Sequence, residues 1–335
     1  MREYIVSPPE SGQHVIKYCK HLLPKAQNGF LHKMLRKKNI TVNGKKADGN
    51  TQLSEGDVVR IFFSEETFGL LSDGSNTEND STEHGSEDGR SLDRKSQERI
   101  SSSILYEDGN LILVNKPAGL LSQKAKPTDI SANELLIAYL KEKGELTEGF
   151  KPSVCNRLDR NTSGLLVFAK TYEAARCMAE LLKDRTLAKY YLAPLSGILK
   201  ETVTISGYLV KDERTNTVSV TKDKPVSGAD RIETEFVPVL QGKDFTIAKI
   251  HLITGKPHQI RAQASAIGHA VIGDPKYGKK QKGLKRQLLH AYSLTFPKDL
   301  EGSLSELSGK TFLAPLPKDY ADFLKENDIE LDLKG

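Results

Sequence analysis

The chain has 335 residues, with 37% apolar and 28% charged side chains and 49 Lys/Arg against 44 Asp/Glu. That length suits two domains of roughly 100–200 residues each. The three cysteines, Cys19, Cys155 and Cys177, form no C-x-x-C or paired spacing, which argues against a disulfide-stapled secreted domain and a structural zinc site. The first ten residues, MREYIVSPPE, carry no secretory apolar core, and no run approaches the ~18 apolar residues of a membrane span. A soluble, cytoplasmic protein is expected.

The charge is unevenly distributed. Residues 1–63 hold 11 Lys/Arg against 5 Asp/Glu, residues 64–100 hold 4 against 10, and residues 101–335 hold 34 against 29. In the first segment, Val15, Ile16, Cys19, Leu22 and Leu23 have helical spacing over residues 13–27. A second helix fits 29–38, with Leu31, Met34 and Leu35 inward and Lys33, Arg36 and Lys37 sharing one face. Asn43-Gly44 between extended residues predicts a tight hairpin, and VVRIFF predicts a further strand. The cationic face suits either plain solvation or an RNA backbone, which needs only such a patch and confers no sequence choice.

Residues 64–100 are dominated by Ser, Asn, Gly, Glu and Asp, with eight acids and no Lys or Arg between Ser64 and Gly89. Such a stretch buries too little apolar surface to offset the entropy of ordering. It reads as a flexible acidic linker, either a solvated tether or a strand that shields basic surfaces from wrong polyanions.

From residue 101 onward, strands are predicted at 104–106, 111–114, 165–168, 232–236 and 245–253, and helices at 131–143 and 171–184. Ser131 and Glu134 match a capping box. Strands and helices mix without regular alternation, so the expected class is α+β around a largely antiparallel sheet, with a small α/β domain before it.

Three constellations carry possible chemistry. In Asn156-Arg157-Leu158-Asp159-Arg160-Asn161-Thr162-Ser163-Gly164, one carboxylate lies between two arginines and leads into an apolar strand. Asp159 there either caps a turn or is a functional group on a rigid platform attractive to phosphate. In Thr254-Gly-Lys-Pro-His-Gln-Ile-Arg261, Pro257 suits the first turn of a helix. Ile260, Ala264 and Ile267 form its buried stripe, and His258, Arg261 and Ser265 lie on another face. Arg261 is a helix-mounted cation or a surface ion pair. In Lys189-Tyr190-Tyr191, alternation sends the two tyrosines to opposite faces of a strand, one able to face a cleft. Cys155 lies near Asp159, but a buried cysteine is usually an inert hydrophobe.

These segments resemble one family. NRLDRNTSGLLVFAK is similar to the H-R-L-D-x-x-T-S-G-L-L signature of RluA-type RNA pseudouridine synthases. KYYLAPLSG resembles their K-x-Y-x-A-x-x-x-G strand, and TGKPHQIRAQASAIGHAVIGDPKYG their T-G-R-x-H-Q-I-R segment through G-D-x-x-Y-G. YEDGNLILVNKPAGLL and LLHAYSLTF agree as flanks, so the likeness spans about 104–296 in the family's order. LHKMLRKKNITVNGKKADGNTQLSEGDVVRI resembles the small α-L RNA-binding domain of a small-subunit ribosomal protein and several RNA-modifying enzymes.

The resemblance implies residues 1–63 as an RNA-binding domain, 64–100 as linker and 101–335 as a catalytic domain with the pseudouridine synthase fold. It assigns Asp159 as nucleophile, Arg261 as its cationic partner and Tyr191 as a surface for the uracil, with a looser part in moving the C5 proton. Arg157, Lys33, Arg36 and Lys37 are expected to contact RNA. Neither metal nor cofactor is called for. The expected substrate is large-subunit ribosomal RNA, with transfer RNA or a non-catalytic ribosome assembly role as alternatives, and the chain is expected to act as a monomer. Asn156 stands where the family usually has His, and Ala262-Gln263 where Val-His is common.

Overall fold

Each half of the chain gathers its apolar residues around its own sheet. The computed structural model describes residues 1–72, 94–212, 217–223, 229–279, 281 and 283–331. The first half contains β1 (Arg2–Ile5), α1 (Val15–Leu22), α2 (Asn28–Arg36), β2 (Ile40–Val42), β3 (Lys45–Lys46), β4 (Val58–Ile61) and α3 (Glu65–Leu71). Its four strands run in the order β1-β4-β2-β3, all antiparallel. Asn43 (φ 52°) and Gly44 (φ 74°) supply the two left-handed residues of the expected hairpin turn. The first helix is shorter than its apolar spacing suggested because Pro24 disfavours helical geometry at Leu23.

The expected linker over 64–100 is helical at both ends. Phe68 of α3 is buried in the N-terminal core, and Ile100 of α4 (Arg94–Ser101) is buried against the catalytic half. Those two apolar anchors offset the ordering entropy that composition alone seemed unable to meet. Residues 73–93 lie outside the described residues.

The second half continues with β5 (Ile104–Glu107), β6 (Leu111–Lys116), α5 (Ala132–Glu142), β7 (Ser153–Val154), β8 (Ser163–Ala169), α6 (Tyr172–Lys183) and β9 (Ala188–Ser196). It is completed by β10 (Val203–Asp212), β11 (Thr217–Thr221), β12 (Asp230–Gln241), β13 (Phe245–Leu252), α7 (Gln259–Ala266), β14 (His290–Thr295), β15 (Thr311–Leu313) and α8 (Lys318–Glu326). The sheet order is β11-β10-β12-β13-β9-β14-β8-β6-β5, with β15 on β14 and β7 on β8. Among the described strands only β14 and β8 pair in parallel, so the α+β class and the largely antiparallel sheet are as expected.

Two local readings change. Ser131 caps α5 by position, but its hydroxyl donates to the Glu134 carboxylate and accepts nothing from the helix. Pro257 lies before α7 rather than in its first turn, because the chain enters through His258 in the left-handed conformation.

The parallel pair places the signature segment. Gly164 (φ +112°) lets β14 approach so closely that a Cβ there would sit 2.2 Å from the Ala291 carbonyl oxygen. Ser163 Oγ and His290 Nδ1 share a hydrogen bond of 2.9 Å beside it. Gly164→Ala is therefore expected to destabilise the protein by at least ~2 kcal/mol through strain and forced strand separation. Denaturant unfolding of the purified variant measures this.

The halves also touch directly. Gly149 donates from its N–H to Glu10 Oε1 (2.6 Å) and accepts from Gln13 Nε2 (2.9 Å). A Cβ at Gly149 would fall 2.0 Å from the Tyr18 ring, and Phe150 lies edge-on to both His21 and Tyr172.

Candidate active site

Asp159 occupies the turn between β7 and β8, and the backbone of that turn is held residue by residue. Ser122 Oγ donates to the Leu158 carbonyl and accepts from the Leu158 N–H, each at 2.9 Å. The Asp159 carbonyl accepts from Thr162 N–H at 3.0 Å. The Arg160 carbonyl takes the Gly119 N–H (2.9 Å) and Lys116 Nζ (3.2 Å), and the Asn161 carbonyl takes Arg286 Nη1 (3.0 Å). Asn156 accepts from Val167 N–H and donates to the Leu165 carbonyl, tying the start of the turn to β8. An amide can do both at once.

Lys116 was not foreseen. Its side chain is fully buried, and its ammonium also donates to the carbonyls of Pro117 and Leu120 at 3.0 and 2.7 Å. Burial pushes its pKa down to about 7, helped by Arg286 and opposed by the charge of Asp159. The segment NKPAGLL signals it only as a lysine at the end of an apolar strand.

Arg261 reaches Asp159 from the opposite wall. Helix α7 is pinned to the sheet by two glutamines. Gln259 Nε2 donates to the Glu233 carbonyl and Thr234 Oγ1, and Gln263 accepts from Thr234 Oγ1 and donates to the Ile205 carbonyl. From that base Arg261 Nη1 donates to Asp159 Oδ2 at 2.9 Å, while Nε and Nη2 fork onto Asp274 at 2.7 and 2.9 Å. The Arg261 side chain is 6% exposed, Asp274 0% and Asp159 22%. The surface-ion-pair alternative for Arg261 is thus excluded by its burial.

Asp274 is the second residue that sequence reasoning missed, although it is the Asp of the G-D-x-x-Y-G stretch. Burial alone would raise its pKa, but the bonds and charge of Arg261 and the Lys276 and Tyr277 N–H groups bring it below the ordinary value. Burial likewise opposes the charge on Arg261, and the two carboxylates outweigh it.

Tyr191 lies on β9, buried against the same cluster as Leu158, Ile260 and Ala291. Burial, reinforced by Asp159, pushes its hydroxyl above its ordinary pKa, so at neutral pH the phenol stays protonated. It can donate or stack. Tyr190 faces the other way, stacked on His251 with ring centres 4.7 Å apart. Arg157 is exposed beside Asp159. Burial pushes the Cys155 thiol up to about 12, which leaves it unreactive. Far along the chain, Lys33, Arg36 and Lys37 are all exposed, and Arg36 borders a cleft of about 600 Å³ shared with His32 and Lys46.

Known proteins share the sequence and the fold of this chain. The family model described as RNA pseudouridylate synthase matches residues 110–266. A ribosomal large subunit pseudouridine synthase C from Rickettsia conorii is 30% identical over 304 residues, covering 88% of this chain and 92% of that protein. The chain belongs to the RNA pseudouridine synthase family. A ribosomal large subunit pseudouridine synthase D from Nitrosomonas europaea is 29% identical, covering 91% of this synthase and 81% of its relative. The solved structure of human RNA pseudouridylate synthase domain containing 4 shares the fold, with TM-score 0.56 at 20% identity over 70% of this chain and 96% of that one. The synthase is accordingly an isomerase acting on RNA, of the RluA type that its motifs resemble.

Removing the charge of Asp274 leaves a buried guanidinium half-compensated. Asp274→Asn is expected to cost about 3 kcal/mol of stability and to lower kcat at least tenfold, measured by denaturant unfolding and single-turnover assay. The sign of the pH effect follows from a depressed folded-state pKa. The stabilisation is present above the ordinary aspartate value of 3.8 and is lost as pH falls through the lower folded value. The variant should show a shallower loss of stability below pH ~4 than wild type.

Proposed function

We propose that the synthase isomerises a specific uridine of large-subunit ribosomal RNA, with Asp159 as the nucleophile. The observation that carries this reading is the 2.9 Å contact between Arg261 and one oxygen of a partly exposed Asp159 carboxylate, in a turn whose backbone is fixed on both sides. The reaction breaks the C1′–N1 bond, turns the uracil and joins C1′ to C5, with the C5 proton replaced by one at N1. No atom or electron is gained or lost. Among the described residues no group of three His, Cys, Asp or Glu could hold a metal ion.

An ordinary aspartate is already ionised at neutral pH, so Arg261 serves to aim the carboxylate and to stabilise charge that shifts as the glycosidic bond breaks. Both donors near the carboxylate, Arg261 at 2.9 Å and His258 at 3.9 Å, lie at Oδ2. Oδ1 is then the oxygen that faces the sugar. Tyr191 gives the uracil a flat surface. A uridine in folded RNA must be swung out to reach this site, which costs a few kcal/mol. Arg157, and Lys33, Arg36 and Lys37 of the N-terminal domain, offset that cost through phosphate contacts. Residues 1–63 act in this reading as an α-L-type RNA-binding domain, and 101–335 as the catalytic domain. The choice of ribosomal RNA rests on the relatives named as large-subunit synthases and on the presence of that N-terminal domain.

Tritium release from RNA carrying 5-tritiated uridine tests the reading. Wild type should release label from ribosomal RNA of a strain lacking this gene, and Asp159→Asn should not, although it still binds. Release only from transfer RNA would move the target, and no release from either would make the protein a binding factor. The phosphate contacts have their own check. Replacing Lys33, Arg36 and Lys37 together by Gln should weaken binding and reduce the slope of log K against log salt by about 2 to 3.

A further inference from the structure

His258 enters the site in a conformation that an ordinary side chain avoids. It caps the start of α7 with φ 57° and ψ 8°, which for a non-glycine residue carries a local cost. The result is a ring only 17% exposed, with Nε2 3.9 Å from Asp159 Oδ2. The other ring nitrogen, Nδ1, lies 2.9 Å from the Tyr277 hydroxyl. That hydroxyl already accepts the Val218 N–H at 2.8 Å. Its single proton is then free to go to Nδ1, which places the proton of a neutral imidazole on Nε2, facing Asp159. Three separate pieces of chain, the start of α7, the turn after it and β11, thus cooperate to aim one N–H.

We propose that His258 is a positioning residue for the reaction, whose Nε2–H closes on Asp159 Oδ2 when substrate is bound. This rests on the reading of Asp159 as nucleophile. Hydrogen bonds of this kind are commonly long in the free enzyme and tighten in the complex. Two donors on Oδ2 fix the carboxylate plane and turn Oδ1 toward C1′. A neutral donor suits the task, because a second full positive charge beside Arg261 would hold electron density on the carboxylate and slow its attack.

The groups facing the ring are Asp159 and Asp274, which favour its charged form, and Arg261 and Lys276, which disfavour it; Tyr277 lies edge-on. Burial is the largest influence, and the net effect is a pKa below the ordinary value of 6.5. The ring is neutral at pH 7. On acidification it gains a proton at Nδ1, where the Tyr277 hydroxyl now has to accept instead of donate. The rate should therefore fall on acidification, along a limb that lies below the ordinary histidine value.

Single-turnover rates and KM across pH 5–8 test the proposal on two variants. His258→Asn tolerates the left-handed backbone and can reach Tyr277 but not Asp159. It should lose tenfold or more in kcat, with KM changed less than twofold and an unaltered unfolding midpoint. His258→Gln restores an N–H near the Nε2 position without a titrating group. It should recover to within about fivefold of wild type and show a flattened acid limb. Wild-type kcat in His258→Asn, or an acid limb that persists in His258→Gln, would overturn the role of His258. Asp159→Asn run alongside separates the two ideas: turnover by that variant would instead sink the nucleophile reading.

Discussion

Arg261 has five N–H donors to divide between two carboxylates. Three are engaged in the free enzyme, two on the fully buried Asp274 and one on the partly exposed Asp159. The division matters because a buried guanidinium without a counter-charge is strongly destabilising. Asp274 neutralises it from behind and locks its plane. What reaches Asp159 is then a directional donor with much of its charge already compensated. A lone arginine would grip the Asp159 carboxylate too firmly and would move with it.

The same logic explains why so much of the polypeptide is devoted to holding one short turn. Backbone groups of Leu158, Arg160 and Asn161 are satisfied by partners on other segments, Ser122, Lys116, Gly119 and Arg286, and the Asp159 carbonyl by Thr162 within the turn. Arg286 is itself fixed by a two-bond fork onto Asp319 of α8, at 2.6 and 2.7 Å. A carboxylate on a short side chain inherits the precision of its backbone. The parallel contact of β8 with β14, possible only with glycine at 164, completes the frame.

Most of the architecture could be read from periodicity. Alternation at Ile232, Thr234 and Phe236 gave a strand whose inward residues are fully buried, and Asn43-Gly44 gave its hairpin. What periodicity missed shares one property. Lys116, Asp274 and the docking of Gly149 each depend on a partner distant in the chain, and a single sequence records no pairing. Lys116 looks like a surface lysine until three carbonyls converge on it. The turn at Pro257 misled for a related reason, since a favourable local position was overridden by the need to bring His258 inward. The acidic segment misled at its ends, where one phenylalanine and one isoleucine suffice to anchor a turn or two of helix.

The seam at Gly149 has a consequence for how the two halves are spaced. Because Glu10, Gln13, Tyr18 and His21 clasp the 149–150 corner directly, that contact helps to set the spacing between the basic face of α2 and the Asp159 carboxylate. The clasp joins residues 10–21 to 149–150 through space, with no described part of the acidic stretch among its partners.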